Sequence, residues 1–361
     1  VDPARLVDYH VHLVATGSHC NGCYVNADFY SWKHLARRLR FQVYRESSGV
    51  RTLQSADRQY VNQLYNMIQF GPVPGRFVLL GFDAVHDADG RAHPEQSEFY
   101  VDNDYLLDVV DLSPQLLPAI SIHPQRKDAI KLLERYAKRG VRFVKWLPNA
   151  MQIDPAHEKN IPFYRALRRS KMVLITHAGE EKAVEAEDSQ ELGNPLRLRL
   201  PLEEGVRIIV AHASSLGMAR DLDQPGEPRI PAFTLFLRLF EQKKYRKQLF
   251  ADISAMTQFN RIGEPPAVEP LKTLLERPDL HSRLVNGSDY PLPAINLVIR
   301  TSVLQRLGYI SPEERVFLNE IYDYNPLLFD YVLKRTLRHP RDARLKLSAE
   351  IFMERESLRI R

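Results

Sequence analysis

The chain has 361 residues, of which 44% are hydrophobic and 26% are charged. This composition excludes a disordered or fibrous protein and fits one large α/β barrel or two modest domains. The net charge of +5 comes from residues 334–361, which hold nine Lys or Arg and four Asp or Glu, whereas the rest of the chain holds 41 residues of each sign. No apolar run reaches the roughly 18 residues of a membrane helix, so we expect a soluble protein without membrane or nucleic-acid partners.

Short runs rich in β-branched and aromatic residues recur along the whole chain and predict eight strands. Most of them are separated by stretches with helical character, which is the alternation of a parallel (β/α)8 TIM barrel. The predicted strands cover residues 6–13, 77–83, 117–123, 141–147, 172–177, 206–212, 249–253 and 283–289.

Two long segments interrupt the regular succession of strands and helices, and a third segment follows the barrel at the carboxyl terminus. Residues 14–76 are expected to form a lid insertion after the first strand, on the catalytic face of the barrel. Residues 221–231, rich in Pro and Gly, predict a second long loop after the sixth strand. The barrel is expected to cover residues 1–333, and residues 334–361 are predicted to form a basic helical tail that is either solvated or docks a partner.

Five potential metal ligands stand at the ends of predicted strands. His10 and His12 are separated by one residue, so in a strand both imidazoles point to one face. His177 and His212 end the fifth and sixth strands, and Asp289 ends the eighth. Because parallel barrel strands end at one rim, where barrel enzymes place catalytic groups, the five residues together predict a metal site.

These motifs resemble the amidohydrolase superfamily of metal-dependent barrel hydrolases, in particular the branch that includes aminocarboxymuconate semialdehyde decarboxylase. The resemblance rests on THAGE at 176–180, AHAS at 211–214, GSDYP at 287–291 and Asn325 in the closing helix. It implies that His10, His12 and His177 ligate a divalent cation. It further implies that His212 ligates a second metal or polarises the substrate, and that Asp289 is both a ligand and a proton shuttle.

Lys145 ends the fourth strand, where an unpaired cation in the barrel mouth would be costly. Its surroundings resemble the lysine segment of dihydroorotases, in which the lysine is carboxylated and its carbamate bridges two metals. The resemblance implies carbon dioxide bound as a carbamate on Lys145 and a binuclear centre. In the alternative, a single-metal site, Lys145 pairs with Asp289 or with a substrate carboxylate.

The ligand types indicate the chemistry. Nitrogen and oxygen donors without thiolate suit two zinc or manganese ions, and a bound water would have its pKa lowered towards about 7. Metal-activated hydroxide would attack a carbonyl, while Asp289 takes the proton and returns it to the leaving group. We therefore predict hydrolysis of an amide, lactam, lactone or ester bond in a small-molecule substrate.

Three further residues are candidates for substrate binding, each with a structural alternative. His123 ends the third strand and either faces the pocket or is a structural rim histidine. Asn149 binds substrate or caps the next element, and Tyr24 stacks on a flat substrate or packs the lid. Cys20 and Cys23 are too few for a disulfide framework, which favours a cytoplasmic protein, and loop packing is their expected role.

Three other functions remain open on the sequence alone. The first is non-oxidative metal-dependent decarboxylation of an aromatic or muconate-type acid, which Lys145 argues against. The second is a metal-dependent nuclease. A nuclease is expected to have a basic groove, whereas residues 1–333 have no net charge. The third is a non-catalytic barrel that binds a partner through its basic tail. A homo-oligomer is compatible with each of these functions.

Overall fold

The computed structural model describes residues 3–18, 21–70, 75–184, 186–258, 269–295 and 298–358. Eight parallel strands pair in chain order in a single sheet. The strands are β1 Val7–His12, β2 Arg76–Leu80, β3 Leu116–Ile120, β4 Phe143–Trp146, β5 Val173–Thr176, β6 Arg207–Val210, β7 Leu249–Asp252 and β8 Leu284–Val285.

Main-chain hydrogen bonds join the first strand to the last and close the sheet. The N–H of Tyr9 donates to the oxygen of Asn286 at 2.9 Å, and the N–H of Asp289 donates to the oxygen of His10 at 2.7 Å. The predicted eight-stranded TIM barrel is therefore confirmed, and each observed strand lies within or one residue outside its predicted range.

Helices cover the barrel from outside. Most of the segments between consecutive strands contain a helix, and three helices follow β8. The helices are α1 Leu35–Ser47, α2 Ala56–Gln69, α3 Asn103–Val110, α4 Ala129–Lys138, α5 Pro148–Met151, α6 Ile161–Arg169, α7 Arg199–Glu203, α8 Ala232–Phe240, α9 Glu269–Glu276, α10 Thr301–Arg306, α11 Pro312–Tyr324 and α12 Pro326–Thr336. None of the helices in the described ranges is long and apolar enough to cross a membrane.

The buried apolar residues form two main layers. The inner layer takes side chains from every strand, such as Tyr9, Phe143, Ile175 and Phe250, and fills the barrel. The outer layer lies between the strands and the helices. Because side chains alternate along a strand, residues two positions beyond the inner layer reach the mouth of the barrel.

The insertion after β1 contains two helices and a small strand. Tyr24–Val25 pairs antiparallel with Phe99–Tyr100, and α1 and α2 follow it. Cys23 is buried and its Sγ accepts the N–H of Asp102 at 3.3 Å, whereas Cys20 lies outside the described residues. The second long loop, residues 221–231, is the turn and return strand of a small hairpin that pairs Met218–Arg220 with Arg229–Pro231.

The carboxyl-terminal segment differs from the predicted basic helical tail. Helix α12 ends at Thr336, and Arg338–His339 then pairs antiparallel with Asp342–Lys346. Two short 3-10 turns follow, and in them Ile351, Phe352 and Leu358 are buried. Leu358 packs on the inner layer of the barrel, so these residues complete the core instead of forming a solvated helix.

Candidate metal centre and its cavity

Three potential ligands converge at the mouth of the barrel. Nε2 of His10 lies 3.3 Å from Nε2 of His12. Oδ1 of Asp289 lies 3.2 Å from Nε2 of His12 and 3.4 Å from Nε2 of His10. Two imidazole nitrogens and one carboxylate oxygen therefore surround a single point at the ends of β1 and β8.

Local irregularities in the backbone aim these side chains. In β1, Asp8 pairs with Phe77 and Val11 pairs with Leu79, so β1 holds one residue more than β2 between these pairs. Such a bulge reverses the alternation, and His10 and His12 turn inward after the inward-facing Tyr9. Asp289 has a φ of 65°, a left-handed conformation that is uncommon for residues other than glycine and that is concentrated at functional sites.

Asp252 is a site residue that the sequence reasoning missed. It ends β7, is fully buried, and its Oδ2 accepts a hydrogen bond from Nδ1 of His10 at 2.9 Å. Its Oδ1 accepts the N–H of His212 at 2.9 Å. Because His10 uses Nδ1 in this contact, its Nε2 is left to face His12 and Asp289, which is the usual role of a carboxylate behind a metal-binding histidine. The signal in the sequence was a carboxylate at the end of a predicted strand.

His177 and His212 lie beside this cluster. The ring of His212 stacks on that of His10 with centroids 5.0 Å apart, and His177 meets His212 edge-on at 5.4 Å. Nδ1 of His212 lies 2.7 Å from Oγ of Ser254, and Nδ1 of His177 lies 3.5 Å from Oε2 of Glu181. Both histidines therefore reach the centre from β5 and β6.

The amine of Lys145 reaches the same cavity. Lys145 follows the inward-facing Phe143 by two residues, which places its side chain in the barrel mouth, and it is buried. Burial lowers the pKa of Lys145 below its usual range, although the charges of Asp252 and Asp289 oppose that shift. Burial also lowers the pKa of His10 well below its usual range, and the charge of Lys145 adds to the effect. His10 is therefore a neutral imidazole that can donate a lone pair.

Three buried polar side chains hold Asp289 and its loop. Nε2 of Gln258 lies 3.4 Å from Oδ2 of Asp289. Behind the loop, the ammonium of Lys334 donates to the main-chain oxygen of Gly287 and to Asp330, both at 2.6 Å. The carboxylate of Asp8 accepts the N–H of Ser288 at 2.9 Å. Lys334, predicted to belong to the tail, therefore anchors the loop that carries Asp289.

A cavity of about 370 Å³ opens on the cluster. His10, His12, Lys145, His177, His212 and Asp289 all line it, and so do residues of the lid insertion. The structure therefore brings all six predicted metal-ligand residues to one cavity.

The three predicted substrate-binding residues are not brought to this cavity. His123 lies three residues beyond the end of β3, and its ring is held by the oxygen of Met151 and the N–H of Gln125. Nδ2 of Asn149 donates to Gly179 and Gln190, which fixes the loop after β5. Tyr24, in the lid insertion, stacks on Tyr100 of the segment after β2, with ring centroids 5.2 Å apart.

The donor set fits a divalent metal ion. Ligands at about 2.0–2.2 Å from one ion lie about 3–3.5 Å apart, which matches the distances among His10, His12 and Asp289. Imidazole and carboxylate donors suit zinc or manganese. A second group of neighbours, His10, His212 and Asp252, is better explained as the hydrogen-bonded support of the first, because Nδ1 of His10 contacts the carboxylate directly.

The chain is similar over most of its length to several solved structures. No family model matches the chain, and no curated protein matches it. A protein assigned as a 2-pyrone-4,6-dicarboxylic acid hydrolase, from Pseudomonas putida, is 15% identical with a TM-score of 0.48, and the match covers 93% of this chain and 96% of that one.

Two other structures match over similar lengths. The 5-carboxyvanillate decarboxylase of Sphingomonas paucimobilis is 11% identical with a TM-score of 0.45, and the match covers 96% of this chain and 98% of that one. A protein from Staphylococcus aureus assigned as an amidohydrolase is 13% identical with a TM-score of 0.43, over 86% of this chain and 95% of that one.

Proposed function

We propose that this protein is a metal-dependent hydrolase of an amide, lactam, lactone or ester bond, of the amidohydrolase type. The observation that carries the proposal is the convergence of Nε2 of His10, Nε2 of His12 and Oδ1 of Asp289 within 3.4 Å of one another, at the floor of a cavity. A divalent cation at such a site polarises a carbonyl oxygen and makes a water molecule more acidic.

The residues of the chain supply proton transfer and orientation. Asp289 is buried, and its two oxygens face different groups, the imidazoles and Gln258. As general base it takes a proton from the attacking water, and as general acid it returns the proton to the leaving amine or alkoxide. Asp252 fixes the tautomer of His10, and the ring of His212 lies beside the cluster, where it can polarise the substrate carbonyl.

The proposal includes a second ion held by His177, His212 and a carboxylated Lys145. The ammonium of Lys145 first releases one proton to solvent, and the resulting neutral amine attacks carbon dioxide. A nitrogen–carbon bond forms and the nitrogen releases a second proton, so that the cation becomes an anionic carbamate. This change removes a buried positive charge from a wall that also carries four histidines. The position of Lys145 on the cavity wall, between β3 and β5 in the sheet, supports it.

A metal analysis combined with a substrate panel tests the function. Protein reconstituted with zinc or manganese is expected to hold one or two equivalents of metal by plasma mass spectrometry. It is expected to release acid from phenyl acetate or δ-valerolactone in a pH-stat, and free amine from N-acetyl amino acids in a ninhydrin assay, whereas an Asp289→Asn variant releases neither. Less than about half an equivalent of metal, together with no hydrolysis, would favour a non-catalytic binding module.

Non-oxidative decarboxylation is the second candidate, and one observation favours it. In the described part of the chain, His177 belongs to no cluster of His, Cys, Asp or Glu donor atoms as close as that of His10, His12 and Asp289, and a single ion suffices for a decarboxylase. The same panel separates the two reactions, because release of carbon dioxide from aromatic acids without ester or lactone hydrolysis would replace the hydrolase proposal.

A further inference from the structure

The cavity wall beyond the polar cluster is apolar, and two segments of the chain contribute to it. The lid insertion contributes Phe41, Val50 and Leu53, and the segment after β8 contributes Leu292, Ile295 and Val298. Contact between such side chains and an apolar ligand group removes apolar surface from water, which favours binding. The wall is therefore suited to an apolar group that extends away from the metal ligands.

Most of the charged groups on this wall are already satisfied by the protein itself. Asp57 accepts hydrogen bonds from the main chain and side chain of Thr16 and from Ser18 and Asn21. Oε1 of Glu181 accepts the N–H groups of Ala183 and Val184. Lys182 lies 3.5 Å from Glu180. Asp57 and Glu181 therefore stabilise the loops that form the wall, whereas Lys182 and Glu180 form an exposed ion pair without net charge.

Arg45 is the exception on the wall. Its Nε is buried without an acceptor among the described residues, and no carboxylate in the described ranges lies within 4.0 Å of its guanidinium. A substrate that carries a carboxylate would use this group, so the experiment must distinguish an acidic ligand from a neutral apolar one.

We propose that the substrate carries a compact uncharged apolar group, either an aryl ring or a medium-length acyl chain, which packs against the apolar residues of the lid insertion and of the segment after β8. The position of the scissile bond beside the metal ligands rests on the proposed function. A volume of about 370 Å³ lies at the lower end of small-molecule pockets, which limits the group to one ring or one chain.

A homologous series of methyl esters, from acetate to octanoate, measures the apolar contribution with a constant leaving group. Each methylene buried in the cavity is expected to raise kcat/KM about three- to fourfold, with a plateau when the cavity is full. A value of kcat/KM that is flat or falls with chain length would overturn the inference.

A matched pair of variants on α1 tests whether the preference for longer acyl chains arises at the cavity wall. Val43 lines the cavity and is 44% exposed, so a polar substitution leaves the core intact. Val43→Ser is expected to lower the hexanoate-to-acetate ratio of kcat/KM at least threefold. Leu39, on the same helix, is 53% exposed and lies outside the wall, and Leu39→Ser should leave the ratio unchanged. Equal effects of both variants would contradict the assignment of the wall.

A binding measurement separates this inference from the proposed function. By isothermal titration, 4-phenylbutan-2-one is expected to bind at least tenfold more tightly than 4-oxopentanoate. The latter is a similar methyl ketone that carries a carboxylate in place of the phenyl ring. Equal or tighter binding of 4-oxopentanoate, lost in Arg45→Gln, would overturn the inference. A tenfold preference for phenylbutanone without hydrolysis of any ester would support the apolar site while rejecting the hydrolase. Ester hydrolysis without a dependence on chain length would support the hydrolase and reject the apolar site.

Discussion

Asp252 and His10, at the ends of β7 and β1, are joined by a hydrogen bond of 2.9 Å between Oδ2 and Nδ1. The carboxylate also holds the N–H of His212 through its other oxygen. One buried side chain therefore sets both the ring orientation of His10 and the main chain of His212. This makes Asp252 a positioning residue for the metal centre.

Asp252→Asn should weaken metal binding about 10- to 100-fold, because an amide no longer fixes the tautomer of His10. Competition with a chelator of known affinity measures the change. Asp221→Asn is the matched control, since Asp221 is also buried but pairs with Arg238 away from the cavity. Similar metal affinities in the two variants would show that Asp252 has only a structural role.

Asp289→Asn should abolish turnover while the fold stays intact, because the change removes the proton acceptor and keeps the volume. Initial rates and a thermal melt of the same preparation test this. If the variant retained more than about a tenth of the activity, less than about 1.4 kcal/mol of transition-state stabilisation would be lost, and the proposed role of Asp289 would be wrong.

His10→Ala and His12→Ala should each lower metal content more than His123→Ala does. The first two side chains converge with Asp289, whereas the ring of His123 is engaged by Met151 and Gln125 outside the cavity. Metal stoichiometry after dialysis, measured on folded protein, gives the comparison. Equal losses from all three variants would mean that His123 is itself a ligand.

Lys145 should make metal uptake depend on carbon dioxide. Apoprotein reconstituted with bicarbonate is expected to take up close to two equivalents of metal, and protein reconstituted without carbon dioxide fewer, because a cationic lysine repels the second ion. Lys145→Ala should behave like the latter, and a short carboxylic acid should partly restore its metal content. Electron density that ends at Nζ in active enzyme with one metal would favour the single-metal decarboxylase.

His123 should make the protein less stable as the pH falls. Burial lowers the pKa of His123 to about 3, and His86 adds to the effect, whereas an unfolded histidine titrates near pH 6.5. Between these two pH values the unfolded state binds one proton more than the folded state. The free energy of unfolding therefore falls by up to about 1.4 kcal/mol for each unit by which the pH is lowered.

Urea unfolding of chelator-treated protein at pH 6, 5 and 4 measures this dependence. His123→Gln should reduce the slope by about one proton, and substitution of the exposed His157 should leave it unchanged. A slope in His123→Gln equal to that of the wild type would show that His123 is protonated in the folded state at these pH values.

The sequence by itself determined the barrel and most of the potential ligands. Strand-forming runs are local patterns, and parallel strands closed into a barrel end at one rim, so His177 after β5 and Asp289 after β8 could be assigned to the same face. The spacing of His10 and His12 predicts that both rings lie on one side of the strand, whereas the bulge in β1 makes that side the inside of the barrel.

Only the tertiary structure decided which strand-end residues meet. His177 directly follows the last residue of β5, whereas His123 stands three residues beyond β3, where Asp83 binds its N–H and turns it away. The contact of Asp252 with His10 joins residues 242 positions apart, so no local pattern reports it. The arginines near the carboxyl terminus have helical spacing, yet they lie in a hairpin, because Pro340 permits a turn there and the buried Ile351 and Phe352 attach the segment to the barrel.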